Sequence, residues 1–311
     1  MTTDQITVPT LRRERRRTGE ALVSVGLGLA ALVSVMTTVG IVVALVVPSV
    51  QFFGEINFID FITGTEWTPL FKDGQFGVLP LLVGTLNVTF WACLVGLPLG
   101  LGTAIYLSEY ARPGTRNVIK PIMEVLAGVP TVVFGYFALT FVTPLLRDAG
   151  LDIGVFNVLS TGLVMGVMLV PIVASLSEDA MSAVPHSLRE GAYALGSRKM
   201  VVATRVVVPA AISGIVASFV LAISRAIGET LIAAIAAGAQ PVPFGLPEAI
   251  DPREGMATMT AFIANTGQGD IPTGSIEYKT IFAVGLLLFV ITFVMNIIAI
   301  RLVRRFREVY E

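Results

Sequence analysis

Six long apolar stretches, separated by short polar ones, organise this chain; they run over roughly 21–47, 79–107, 118–146, 156–176, 211–238 and 280–303. A bilayer core takes about 20 apolar residues per helix, so each stretch is long enough to cross a membrane as an α-helix. An even number of crossings returns the chain to the side on which it began. The pattern predicts an all-α polytopic membrane protein with a tail over 1–20, a membrane domain over 21–303 and a second tail over 304–311.

The fifth stretch interrupts its own pattern. VLAISRAIGETLIAAI, residues 220–235, carries Arg225 and Glu229. A charge at mid-membrane costs about 2.5–3.5 kcal/mol on insertion scales, which points to a partner or a pathway. In one continuous helix these residues stand at i and i+4, on a small, partly polar face with Ser218, Ala222, Gly228 and Ile232. Two readings follow: an ion pair that knits helices together, or a pair lining the route of an anion. Arginine suits the second, because its planar fork of donors matches phosphate oxygens. In the third stretch, Gly128, Pro130, Thr131 and Gly135 cluster within AGVPTVVFG. Such breaks are tolerated where a neighbour or a cavity satisfies the freed backbone, so Pro130 and Thr131 are candidates for lining the same route.

The distribution of Lys and Arg sets an orientation. With the N-terminus inside, the inner segments hold Arg12, Arg13, Arg15, Arg16, Arg17, Arg112, Arg116, Lys120, Arg189, Arg198, Lys199, Arg205, Arg301, Arg304, Arg305 and Arg307. The outer segments hold Lys72, Arg147, Arg253 and Lys279, which leaves Arg225 within the membrane. The first stretch exceeds the 7–15 apolar residues of a secretory signal and ends in VVPSVQFF without an A-x-A pattern, so it reads as an uncleaved span. Both longer outer segments, 48–78 and 239–279, are rich in Gly, Pro and acidic residues. They are too short for an enzyme domain but long enough to meet an extracytoplasmic partner.

Composition narrows the chemistry. The chain is 54% hydrophobic and 14% charged, too apolar for a soluble domain. Its only cysteine is Cys93 and its only histidine His186, so an intrachain disulfide and a His-cluster metal site are excluded. There is no G-x-x-x-x-G-K-[ST] phosphate loop, so any nucleotide hydrolysis must come from another chain. The spans hold no nucleophile with a base, which argues against an enzyme. Nothing points to nucleic acid.

The inner segment 177–214 is long for a connection. Between Pro185 and Pro209 it reads as two short amphipathic helices joined at Gly196, where glycine can take positive φ. On residue pattern alone, such an element either docks into a soluble partner or lies on the lipid surface.

EGAYALGSRKMVVATRVVVP, 190–209, resembles the cytoplasmic signature of ABC importer permeases: E-A-A, three residues, G, nine residues, I-x-L-P. Glu190, Ala192, Gly196 and Pro209 fall on the matching positions, Gly191 replaces the first Ala, and Val206 and Val208 replace Ile and Leu. The resemblance implies a coupling helix that sits in a groove of an ATPase subunit. WTPLFKDGQFGVLPLLVGTL, the stretch from AIYLSEYARPGTR into the third span, LPEAIDPREG onward, and SRAIGET are further similar to permeases of the phosphate-specific transport (Pst) system. The softer outer loops favour the PstC branch over PstA. This resemblance implies the type I importer fold, with Arg225, Glu229 and Thr230 on the substrate pathway. It also implies a PstA-like sister permease, two PstB-like ATPases that hydrolyse ATP, and a PstS-like phosphate-binding protein outside a bacterial plasma membrane. No cofactor is implied for this chain. A permease for another oxyanion or a phosphonate, and a proton-coupled secondary transporter, are the alternatives the residues leave open.

Overall fold

A computed structural model describes residues 18–306, apart from Lys72, Pro243 and Leu246. The basic residues Arg12 to Arg17, Lys72 and Arg307, with most of the predicted N-terminal tail, lie outside the described residues. Among the described residues the structure is mostly helical, with isolated bridges such as the antiparallel Trp67 to Phe76 and no sheet. The chain divides into two units, 1–47 and 48–311.

The first unit holds the opening of α1 (Thr18–Glu55), whose large apolar side chains are exposed, Leu22 at 77% and Val33 at 64%. A helical stretch that is apolar and uncovered over this opening part fits a hydrocarbon surround.

The second unit is built around α3 (Leu79–Ile105) and α7 (Val158–Ser182), which pack along most of their length. Glycine permits the close approach. A Cβ on Gly166 would lie 2.8 Å from Ala92 O, and one on Gly100 would lie 2.5 Å from Val173 Cβ. Small residues at such crossings take the place of the hydrophobic drive that lipid cannot supply. α7 starts cleanly because Asn157 Oδ1 accepts the Ser160 N–H at 2.7 Å. Its next free donors are met by a distant loop: Val158 N donates to Glu254 O at 3.1 Å and Leu159 N to Pro252 O at 2.8 Å.

Among the described residues four helices are long and apolar enough to cross a membrane: α1, α3 with its extension to Tyr110, α7 and α13 (Ile276–Phe306). Two further crossings are bent pairs, giving up to six. The stretch 118–146, expected as one helix, is α4 (Pro113–Gly128) followed by α5 (Thr131–Phe137) and α6 (Thr143–Asp148), with an 89° bend after Gly128. The cause is local: Pro130 supplies no N–H, and Val129 and Pro130 are both extended.

The 177–214 segment is divided differently from the expectation at its start, since α7 runs on to Ser182. Then come α8 (His186–Ala194), α9 (Lys199–Val202) and, after a wide π-type turn, α10 (Val208–Ala210). Gly196 stands between the arms at φ +77, the left-handed conformation that glycine adopts without a Cβ clash. Residues 199–210 meet α11 (Ile212–Gly228) at 73°.

An aromatic cluster closes the opposite end. Phe52, Phe61 of α2 (Phe58–Thr63), Trp67 and Phe76 pack edge to face, and Trp67 meets Phe262 of α12 (Met259–Gly267) at 5.0 Å.

Candidate functional site

α11 is the helix that presents Arg225. Ile215, Ser218, Ala222, Ala226 and Ile227 are buried, and Ser218 Oγ meets Ser177 Oγ of α7 at 2.8 Å. Arg225, in the last turn, lies on the exposed side. Just before it, Ser224 Oγ is buried without a hydrogen-bond partner.

The helix then stops, which corrects the expectation of one unbroken span over 211–238. Glu229 caps α11 in extended conformation at φ −70 and ψ 127, its N–H folded back to Ala226 O at 3.2 Å. A new helical segment begins at Leu231 and widens into a π-type turn over Ala233–Ala237. Arg225 and Glu229 stand on either side of the helix end, one exposed and the other half-buried, and no ion pair joins them.

The break is braced rather than loose. Thr260 Oγ1, in the first turn of α12, donates to Glu229 O at 2.8 Å, and Thr230 Oγ1 donates to Gly228 O at 3.3 Å. Thr258 caps α12 through the Ala261 N–H at 3.2 Å. Freed carbonyls inside a membrane need such partners, so α12 is what permits a chain break beside Arg225. Glu229 and Thr230 are half-buried.

The two broken spans meet. α5 packs on the 231–237 segment, and a Cβ on Gly135 would lie 3.1 Å from Ile235 Cβ. Pro130 and Thr131 stand at the start of α5, Pro130 exposed and Thr131 half-buried. The structure thus joins the two predicted clusters through their helices, by apolar packing among Phe134, Ala138, Ile232 and Ala233. It gives no polar contact between Thr131 and Arg225, Glu229 or Thr230.

At the other end of α11, the residues of the predicted signature form an exposed surface. Glu190, Gly191, Gly196 and Pro209 are exposed and Ala192 is half-buried. Around them stand Leu195 at 88% and Met200 at 69% exposure, apolar side chains at the tip of the loop. An apolar tip on an otherwise polar loop is the signature of a contact surface.

Two residues that carry interactions here were missed by reading the sequence. Glu178 of α7 is buried and holds Arg116 at 2.6 Å and Lys120 at 3.0 Å. Glu109, at the end of α3, holds Arg189 of α8 at 3.1 Å. The available signal was Arg116 and Lys120 at i and i+4, a spacing that clamps one carboxylate.

Residues 96–308 match the model of the binding-protein-dependent transport system inner membrane component. The chain belongs to this family. The match includes both broken spans and the whole α8–α10 loop, so the features above lie within the family's shared region. A probable ABC transporter permease protein, YqgH, of Bacillus subtilis (strain 168) is 33% identical over 299 residues, covering 96% of this chain and 94% of that protein. The phosphate transport system permease protein PstC 1 of Mycobacterium tuberculosis (strain ATCC 25618 / H37Rv) is 35% identical over 288 residues, 81% of this chain and 83% of the relative. A chain of the bacterial alginate ABC transporter, crystallised in complex with alginate pentasaccharide-bound periplasmic protein, superposes with a TM-score of 0.64. At 18% identity it covers 92% of this chain and 95% of that one, and it shares the fold of this family member.

Proposed function

We propose that this chain is the permease subunit of an ATP-driven, binding-protein-dependent importer of inorganic phosphate. The observation that carries the substrate is Arg225. It is exposed on α11 beside a braced break in the chain, and a guanidinium facing hydrocarbon would cost about 2.5–3.5 kcal/mol. That face therefore meets a second permease or a water-filled route. Phosphate, with oxygens to fill the fork of donors, is the anion that the similar PstC proteins carry by name. Glu229 and Thr230 flank the route where α11 stops, and Pro130 and Thr131 line it from the second broken span.

The working assembly in this reading holds a PstA-like sister permease, two PstB-like ATPase subunits and a PstS-like phosphate-binding protein. The chain has no phosphate loop of its own, so ATP is hydrolysed by the partners and no cofactor resides here. Both termini face the cytoplasm of a bacterial plasma membrane, tails 1–20 and 304–311 flanking the membrane domain. The α8–α9 element, with Glu190, Gly191 and Gly196 exposed, Ala192 half-buried and Pro209 at its end, is the surface that docks on the ATPase.

The reading is tested with Arg225→Ala and Glu229→Ala variants in the full complex. We expect normal assembly and a fall in phosphate uptake of about tenfold or more for Arg225→Ala, the loss of one charge-assisted anion contact. Near-normal uptake in both variants would remove the pathway role. Uptake of sulfate or a phosphonate in preference to phosphate would keep the importer and replace its substrate.

A further inference from the structure

Beyond apolar packing, the loop that bears the signature is held by charged side chains at the ends of α3 and α7. At the end of α3 the backbone opens into a π-type turn, Tyr106–Tyr110, in which the Ala111 N–H reaches back to Tyr106 O at 2.8 Å. Successive residues of this turn hold opposite arms of the loop. Glu109 takes α8, through Arg189; Tyr110 takes the start of α9, whose Lys199 Nζ stands 5.1 Å from the centre of its ring. Gly196, the corner of the loop, lies between the two arms.

The Arg189 contact is the stronger. Its side chain is 12% exposed and that of Glu109 only 5%, so water screens their attraction little. Every arm of the guanidinium is engaged. Nη2 donates to Glu109 Oε1 at 3.1 Å and to Met181 O at 2.8 Å, and Nη1 donates to Val184 O at 2.6 Å. Ser108 Oγ donates to the same Glu109 oxygen at 3.0 Å. Arg189 thus closes the last turn of α7, where free carbonyls favour a cation, and ties it to α3 with α8 as the lever arm. Lys199 over Tyr110 is an exposed cation–π contact, a guide rather than a fastening.

The route onward is rigid, because α3 and α7 approach backbone to side chain at Gly100 and Gly166. By contrast, the covalent route from the loop to Arg225 passes through the 73° bend between α10 and α11. A push along α10 is therefore out of line with α11.

We propose that Glu109 and Arg189 are positioning residues that carry movement of the α8–α9 loop into the α3–α7 pair. This rests on the importer reading, in which an ATPase moves that loop. The test uses the full complex in proteoliposomes with the phosphate-binding protein, and reads ATP hydrolysed per phosphate taken up. Arg189→Met keeps the stem and removes the charge; Glu109→Gln keeps the shape and is the milder change. For Arg189→Met we expect a rise in that ratio of roughly fivefold or more, with the ATPase still co-purifying. The double variant should be no worse than Arg189→Met alone, because the two residues act through one another. Ratios within about twofold of the unaltered complex in both single variants, or additive effects in the double, overturn the proposal. So does a lower yield of Arg189→Met or Glu109→Gln complex whose ratio is unchanged, since that marks a role in folding alone. If Arg189→Met yields no complex, Glu109→Gln decides: a raised ratio supports the proposal, an unchanged one overturns it. An unaltered complex that takes up no anion on ATP would refute the importer reading, and the proposal with it.

Discussion

The carboxylate of Glu178, buried in α7, lies 2.6 Å from Arg116 Nη2 on α4, and Lys120 Nζ approaches its second oxygen at 3.0 Å. The carboxylate is out of water while both cations keep more than a third of their side chains in it, at 37% and 41% exposure. The pair fixes α4, half of a bent span, to the central helix.

Removing that carboxylate leaves two hydrated cations rather than two stranded ones. Glu178→Ala should therefore cost about 1–3 kcal/mol, below the full penalty for breaking a fully buried pair. Thermal unfolding of the purified chain in detergent measures it. Arg116→Ala should cost more than Lys120→Ala, because its contact is shorter.

Packing between α3 and α7 gives a second expectation with an internal control. Gly166→Ala places a methyl 2.8 Å from Ala92 O and 2.8 Å from Val95 Cβ. We expect a loss of about 1–3 kcal/mol from overpacking. Gly102→Ala, on α3 with nothing within 4 Å, should be neutral or slightly stabilising. Equal effects at the two sites would contradict the close approach.

Gly196 tests conformation apart from bulk. Its Cβ position is open, so the restriction is the positive φ alone. Gly196→Val should cost about 1–2 kcal/mol locally and reduce recovery of the ATPase with the membrane fraction. Gly196→Asn, which tolerates the left-handed region, should retain most of it. If Asn fails as badly as Val, contact rather than backbone conformation limits the site.

A pH dependence is expected on the loop that covers the start of α7. Hydrogen bonds from the Arg253 side chain and N–H hold the Asp251 carboxyl below the usual carboxylate range. A lowered folded pKa means that its contribution is present above the unfolded value, about 3.9, and fades as pH falls through the folded one. At neutral pH the loop should be intact. Asp251→Ala should speed hydrogen exchange at Gly154, Val158 and Leu159, whose amides donate to Arg253, Glu254 and Pro252 carbonyls. Unchanged exchange would mean that the loop holds without the carboxylate.

Much was legible in the chain itself because lipid imposes a simple demand: apolar side chains outward and every backbone group paired within a helix. Runs of about 20 apolar residues are enough to announce that. The corner at Gly196 was legible too, since only a residue without a Cβ sits easily at φ +77. The relation of Arg225 to Glu229 was not. Spacing allowed them to pair, but no ion pair forms; the helix ends at Gly228, and a hydroxyl from residue 260 takes the Glu229 carbonyl. Nothing near residue 229 in sequence foretells that partner. The same holds for Glu109 with Arg189 and Glu178 with Arg116, contacts 80 and more than 60 residues apart that exist only once the helices pack. The sequence by itself determined the helical, membrane-spanning character of the chain and the family signature. Tertiary structure decided which charges meet, because a buried ion's partner is whatever group the fold brings within about 4 Å, and sequence distance has no part in that.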